Sequence, residues 1–141
     1  MMDLPVVLIV EDDDANRQLL VEFVELAGYS ARPCADPLGG LSALEDDPTI
    51  GLVLTDVRMP LASDGIALIR TIRTRRPERP LAAVTGYPDD LVELFGTPVC
   101  PVLILTKPVR REQVAEVIRL AMPGSEPGAK RATTLARVPP A

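Results

Sequence analysis

Acidic, hydroxyl and basic side chains follow four separate apolar runs of this chain, near the point where each run ends. Each run is typical of a buried strand, because it is short, continuous and bounded by turn-forming residues. If the strands are parallel, their carboxyl ends meet at one edge of a sheet, where α/β proteins bind ligands. The residues concerned are Glu11 and Asp12 after Val6–Val10, Asp56 at the end of 51–56, Thr85 after Leu81–Val84, and Lys107 after Val102–Leu105.

This set of side chains predicts a site for phosphoryl transfer. Three carboxylates on one edge repel one another unless a cation lies between them, and their oxygens suit Mg²⁺ or Mn²⁺. Lys107 would add a positive charge, and Thr85 a hydroxyl donor, for phosphoryl oxygens. Asp56 is then the candidate nucleophile, which would carry the phosphoryl group as an acyl phosphate. A simple Lys–Asp ion pair is the alternative, but it leaves Glu11, Asp12 and Thr85 without explanation.

The elements that position these residues alternate between strands and helices. Strand–helix pairs repeat five times with short links, which predicts an α/β fold: a doubly wound parallel sheet with helices on both faces. The strand at 30–35 contains Pro33, which cannot donate to a ladder and therefore predicts an edge position. Asp13 or Asp14 is expected to cap the first helix. Helices are predicted over Ala15 to about Ala27, over 37–45, after a loop at Pro60–Gly65, over Pro88–Leu94 and over 110–122.

Length and composition limit the functional classes. The 141 residues predict one folded domain at 1–122 and a basic tail at 123–141, rich in Pro, Gly and Ala, that we expect to be disordered. A net charge of −5 argues against direct DNA binding. No apolar run is long enough for a membrane span, and the acidic amino terminus is unlike a signal peptide, so we expect a cytoplasmic protein. Cys34 and Cys100 have no metal-binding spacing and are expected to be reduced thiols.

Histidine is absent from the sequence. Catalytic triads that depend on histidine, histidine metal sites and a role as phosphohistidine donor are therefore excluded.

The motifs around the candidate site resemble those of a known family. The chain is similar to the receiver domains of two-component response regulators, and the resemblance covers residues 6–122. The motifs that carry it are Leu8-Ile9-Val10-Glu11-Asp12-Asp13, Thr55-Asp56-Val57-Arg58-Met59-Pro60 with Gly65, Val84-Thr85-Gly86 and Thr106-Lys107-Pro108.

The resemblance implies a fold and a signalling role. The fold would be flavodoxin-like, with strand order 2-1-3-4-5. Asp56 would accept a phosphoryl group from a sensor histidine kinase or a histidine phosphotransfer protein, which would dock on the first helix. The face formed by the fourth helix, the last strand and the last helix would contact a downstream protein, and it is also the candidate homodimer interface. The protein would be a stand-alone phosphoacceptor in a phosphorelay, and not an enzyme.

The resemblance also assigns roles to individual residues. The metal ligands would be Glu11, Asp12, Asp56 and the backbone carbonyl of Arg58. Thr85 and Lys107 would bind the phosphoryl oxygens, and Gly86 would leave room for them. The structural residues would be Gly65 and Pro108, with a cis peptide bond between Lys107 and Pro108.

One residue departs from the family pattern. Ile104 stands three positions before Lys107, where the family usually has Tyr or Phe. A receiver fold that acts as a phosphorylation-independent interaction module is therefore an alternative. A phosphatase with an Asp nucleophile is a second alternative, but such enzymes need another Asp two residues after the nucleophile, and Arg58 occupies that position.

Overall fold

A computed structural model describes residues 4–99 and 103–125, and these residues form strands that alternate with helices. The strands are β1 (Val6–Val10), β2 (Ser30–Cys34), β3 (Ile50–Asp56), β4 (Leu81–Thr85) and β5 (Leu103–Thr106). The helices are α1 (Asp14–Leu26), α2 (Pro37–Asp46), α3 (Ala62–Arg75) and α4 (Arg111–Ala121), with a 3₁₀ segment at Pro88–Leu94 between β4 and β5.

The sheet has the predicted topology. Its strands lie in the order β2-β1-β3-β4-β5, and every neighbouring pair is parallel. Strand β2 is at the edge, and its Pro33 lies opposite Ile9 of β1. A proline is tolerated there because an edge strand has a neighbour on one side only. The predicted doubly wound α/β fold is therefore confirmed.

Apolar cores lie on both faces of the sheet. On one face, Val7 and Ile9 of β1 pack with residues of α1 and α4. On the other face, Leu8 and Val10 of the same strand pack with α2, α3 and the 3₁₀ segment. Both faces of the strand are thus removed from water, which is why its sequence is a continuous apolar run.

The starts of two helices show where local sequence signals were sufficient and where they were not. Asp13 caps α1, because its Oδ2 accepts the Asn16 backbone N–H at 2.8 Å. The predicted loop at Pro60–Gly65 is wrong from its third residue onward, because α3 begins at Ala62. The Asp64 carboxylate accepts the Leu61 N–H at 2.9 Å and so stabilises this earlier start.

The carboxyl-terminal part of the described chain packs against the fold. The hydroxyl oxygens of Tyr29 and Ser125 lie 3.0 Å apart. The rest of the predicted tail, and Cys100, lie outside the described residues. Cys34 is half-buried with a free thiol. Among the described residues, no helix combines the length and apolar character that a membrane span requires.

Candidate functional site

The predicted site residues do meet at the carboxyl edge of the sheet. Asp56 is the last residue of β3 and pairs in register with Val84 of β4. Thr85 ends β4, and Lys107 follows the last residue of β5. The Lys107 N–H donates to the Thr85 carbonyl at 2.8 Å, which ties the β5 end to the β4 end. Glu11 and Asp12 follow β1 directly.

Asp56 is a buried carboxylate with a cation beside it. Its side chain is only 7% exposed, and Lys107 Nζ lies 3.4 Å from its Oδ1. The same Oδ1 accepts the Val57 backbone N–H at 2.8 Å. The hydroxyl of Thr55 donates to the Asp56 carbonyl at 2.8 Å, which fixes the backbone at the end of the strand. These contacts hold the carboxylate in one orientation while leaving it at the edge where a ligand can approach.

Lys107 contacts a second carboxylate. Its Nζ donates to Glu11 Oε1 at 3.2 Å, and Glu11 is fully buried. Burial alone would lower the pKa of Lys107, but the negative charges of Asp56 and Glu11 outweigh burial and raise it. Lys107 therefore stays protonated and supplies a fixed positive charge at the site.

Three carboxylates form a cluster that fits a divalent cation. One carboxylate oxygen from each of Glu11, Asp12 and Asp56 lies within 4.8 Å of the others. Burial raises the pKa of Glu11 to about 7, and the hydrogen bond and charge of Asp56 act in the same direction. The Asp13 N–H and the charge of Lys107 lower this pKa but do not restore the usual value. When all three carboxylates are ionised, their negative charge exceeds what one lysine neutralises, and oxygen donors of this kind suit Mg²⁺ or Mn²⁺.

Thr85 and Gly86 border the same edge. Thr85 is buried, and its Oγ1 accepts the Tyr87 N–H at 2.9 Å, so the hydroxyl proton is available to another acceptor. A Cβ added at Gly86 would meet the Lys107 Cβ at 4.0 Å, an ordinary contact. Packing therefore does not require a glycine at position 86, and the space beside it is open to a bound group.

Gly65, in contrast, is required by packing. Its N–H donates to the Val57 carbonyl oxygen at 2.8 Å. A Cβ at position 65 would lie 2.2 Å from that oxygen, closer than side chains approach a backbone. Glycine therefore allows α3 to pack directly against the chain that follows Asp56. The peptide bond between Lys107 and Pro108, on the other side of the site, is cis.

An ion pair beside the site was not predicted from the sequence. The Arg58 guanidinium binds Asp90 through Nε–Oδ2 at 2.7 Å and Nη2–Oδ1 at 3.1 Å. The same guanidinium lies over the Tyr87 ring, 3.7 Å from its centroid. This ion pair has no local sequence signal, because Arg58 and Asp90 are 32 positions apart in the chain.

Two further features surround the edge. Arg17 of α1 donates to the Glu11 carbonyl at 3.0 Å and so ties the helix to the end of β1. A groove of about 350 Å³ runs from Glu11 and Lys107 along α1, where Leu19 and Phe23 are among its apolar lining residues. Ile104, on β5, is 38% exposed.

The sequence and the fold both match known proteins. A family model described as the response regulator receiver domain matches residues 7–119. Among solved structures, the chemotaxis protein CheY4 of Vibrio cholerae has a TM-score of 0.75 at 21% identity and covers 84% of this chain and 99% of its own. At that identity the likeness concerns the fold alone. The receiver domain of the hybrid histidine kinase CckA has a TM-score of 0.65 at 28% identity and covers 83% of this chain and 98% of its own.

Curated relatives are mostly longer than the matched region. The transcriptional regulatory protein DctD of Rhizobium meliloti is 36% identical over 85 residues, which are 60% of this chain and 18% of the relative. The response regulator receiver protein CpdR of Brucella abortus is 33% identical over 81 residues, which are 57% of this chain and 66% of the relative. The chain spans less than a quarter of the first curated relatives it matches.

Proposed function

This chain belongs to the response regulator receiver domain family, and we propose that Asp56 is its phosphoacceptor. One observation carries the proposal: Asp56 is buried at the end of β3, with Lys107 Nζ 3.4 Å from its Oδ1 and with two more carboxylates in its cluster. An isolated structural ion pair would not need the second and third carboxylates. A site that binds a cation and a phosphoryl group needs all of these groups.

The proposed reaction transfers a phosphoryl group to the Asp56 carboxylate. A carboxylate oxygen forms a bond to phosphorus as the bond between phosphorus and the donor breaks, and the product is an acyl phosphate. Lys107 and the Thr85 hydroxyl bind the phosphoryl oxygens, and the open space at Gly86 accommodates them. A divalent cation held by Glu11, Asp12, Asp56 and the Arg58 carbonyl would neutralise charge on the phosphoryl group.

The donor and the output are also proposals. Receiver domains act in two-component signalling, and the relatives of this chain include the sensor kinase CckA of Brucella abortus, 30% identical over 114 residues. We propose that the donor is the phosphohistidine of a sensor histidine kinase or of a histidine phosphotransfer protein. The protein then signals by contact with another protein in the cytoplasm, without direct DNA binding and without an enzymatic reaction of its own.

The geometry at Arg58 disfavours a phosphatase. A phosphatase of this type needs a general acid two residues after its nucleophile. Arg58 occupies that position, and its guanidinium is turned to Asp90. A guanidinium stays protonated and cannot donate a proton to a leaving group at neutral pH.

Intact-mass spectrometry with acetyl phosphate and Mg²⁺ tests the proposal. We expect one phosphoryl adduct in the wild-type protein, and none without Mg²⁺ or in Asp56→Asn. The variant removes the nucleophilic oxygen with little change in shape, so its circular dichroism spectrum should match that of the wild type. A folded wild-type protein that forms no adduct would favour the phosphorylation-independent interaction module instead.

A further inference from the structure

The Arg58 side chain connects the phosphoacceptor loop to the 3₁₀ segment. Arg58 is two residues after Asp56, yet its guanidinium binds the Asp90 carboxylate and lies over Tyr87. Asp90 is largely shielded, with a side chain 15% exposed, whereas Arg58 is 44% exposed. Arg58 is therefore a cation on the loop after Asp56 whose side chain is bound to the 3₁₀ segment.

A phosphoryl group on Asp56 would compete with Asp90 for this guanidinium. It carries about −1.5 to −2 charges at neutral pH and three acceptor oxygens. A carboxylate carries one charge, and guanidinium binds phosphate oxygens through the same paired N–H donors that it presents to Asp90. Lys107 already faces Glu11 and Asp56, so Arg58 would add a further positive charge beside Lys107 and the proposed divalent cation.

We propose that Arg58 exchanges Asp90 for the phosphoryl group on Asp56 and thereby releases the first turn of the 3₁₀ segment. The proposal rests on the proposed phosphoacceptor function and adds a route for its signal. It assigns to Arg58 a part that Ile104 cannot play, because an aliphatic side chain offers no charge or hydrogen bond to the site.

The contacts of Tyr87 show which part of the 3₁₀ segment would be released when Arg58 leaves Asp90. Its ring loses the guanidinium, and its N–H is bound to the Thr85 hydroxyl oxygen. Thr85 is itself a proposed phosphoryl ligand, so its movement toward the phosphoryl group would weaken that bond as well. The end of the segment stays anchored, because Leu91 and Leu94 are buried. The change is therefore local to residues 87–90.

The released turn would change a surface that a partner protein can contact. Val92 and Phe95, which follow it, are 60% and 56% exposed. A shift of the preceding turn would alter how these apolar side chains are presented together with the Tyr87 ring.

Hydrogen exchange of the amides at residues 87–90, with and without acetyl phosphate and Mg²⁺, tests the proposal. In the wild-type protein we expect phosphorylation to raise the amide exchange rate here roughly threefold to fivefold. A change of this size corresponds to the loss of one partly exposed ion pair. Asp90→Asn should show the raised exchange before phosphorylation and little further change after it. The intact mass of each sample is measured first, so that a missing adduct, which would overturn the proposed function as well, is distinguished from a missing response.

Glu93→Gln is the matched control. It removes the Arg70–Glu93 ion pair on the same segment, which has a 3.1 Å contact but no link to the Asp56 loop. This variant should respond to phosphorylation like the wild type. The proposal is overturned if phosphorylated wild-type protein shows unchanged exchange, or if Asp90→Asn matches the wild type in both states.

Tyrosine fluorescence gives a second readout of the movement of Arg58 away from Asp90 and Tyr87. The chain has two tyrosines and no tryptophan, so Tyr29→Phe leaves Tyr87 as the single reporter. Departure of the guanidinium from the ring should change its emission on phosphorylation. An emission that does not change in a sample with a confirmed adduct would contradict the release.

Discussion

The β1–β3 part of the sheet and the part beyond β4 are stabilised in different ways. Residues of β1 and β3 such as Ile9 and Leu54 have no exposed surface. Beyond β4, Ile104 is 38% exposed, and the start of the 3₁₀ segment is attached through Arg58, Asp90 and Tyr87. Core packing thus fixes the acidic site, whereas polar contacts that depend on charge hold the neighbouring surface. The proposed phosphoryl group on Asp56 would then change the second region without disturbing the first.

The largest expected effect is on the rate of phosphoryl transfer at the acidic site. Lys107→Ala should slow formation of the acetyl phosphate adduct about 100-fold to 1,000-fold, because it removes a preorganised cation from the transferring group. Rates are measured by intact mass at fixed Mg²⁺. Arg111→Ala, which removes an exposed cation from the start of α4, is the control and should keep the wild-type rate. Equal rates in both variants would show that Lys107 acts only as a structural partner of Glu11.

A matched pair of substitutions tests the difference in packing. Ile9→Ala in β1 should lower the free energy of unfolding by about 3 kcal/mol, because it leaves a cavity in a fully buried site. Ile104→Ala in β5 should lower it by less than about 1 kcal/mol, since that side chain is partly in water. Urea denaturation measures both. Similar losses would contradict the contrast between the two regions.

Gly65 tests how firmly α3 holds the loop after Asp56. Alanine is favoured over glycine in a helix by about 1 kcal/mol. A Cβ 2.2 Å from the Val57 carbonyl oxygen outweighs that preference, so Gly65→Ala should lower the free energy of unfolding by at least about 2 kcal/mol. Gly86→Ala is the comparison. Its free energy of unfolding should differ from that of the wild type by no more than about 0.5 kcal/mol, but it should form the adduct more slowly. If Gly65→Ala were as stable as the wild type, the close approach of α3 would not be required.

The smallest expected effect concerns pH. Because the pKa of Glu11 is about 7, cation binding must displace its proton below that pH. Mg²⁺ affinity measured by calorimetry should therefore rise about tenfold between pH 6 and pH 8. Glu11→Gln should bind Mg²⁺ weakly and with little dependence on pH. An affinity of the wild-type protein that is constant across this range would contradict the raised pKa.

Glu11 also determines how the free energy of unfolding of the metal-free protein changes with pH. The folded state holds the Glu11 proton up to a pKa of about 7, whereas the unfolded state loses it near the ordinary glutamate pKa of 4.5. The folded state binds more protons between these values, so the contribution of Glu11 to stability falls as pH rises through this window. The urea midpoint of Glu11→Gln should therefore lack the decrease with rising pH that Glu11 contributes in the wild type.

The site residues could be predicted because each lies at the end of an apolar strand or within two residues of it. A parallel strand covered on both faces is a continuous apolar run, and its end is visible as the first polar residue. Asp56, Thr85 and Glu11 were found in this way. Lys107 was found one residue beyond the end of its strand. The strand order followed from the family resemblance, and the edge position of β2 followed from Pro33.

Two features could not be predicted from local signals, for physical reasons. The sequence predicts that Gly65 ends a loop, but the residue lies within α3, where a backbone oxygen approaches it too closely for a side chain. The contact of Arg58 with Asp90 joins two loops that only the folded sheet brings together. Both features depend on tertiary distance, which short-range sequence patterns do not encode.

The most direct test of the central proposal identifies the modified residue. Protein treated with acetyl phosphate and Mg²⁺ is reduced with borohydride, which converts an acyl phosphate on aspartate to homoserine, and its peptides are mapped by mass spectrometry. We expect the conversion at Asp56 alone, with Asp12 and Glu11 unchanged. Conversion at another carboxylate, or none in folded protein, would contradict the assignment of Asp56 as the phosphoacceptor.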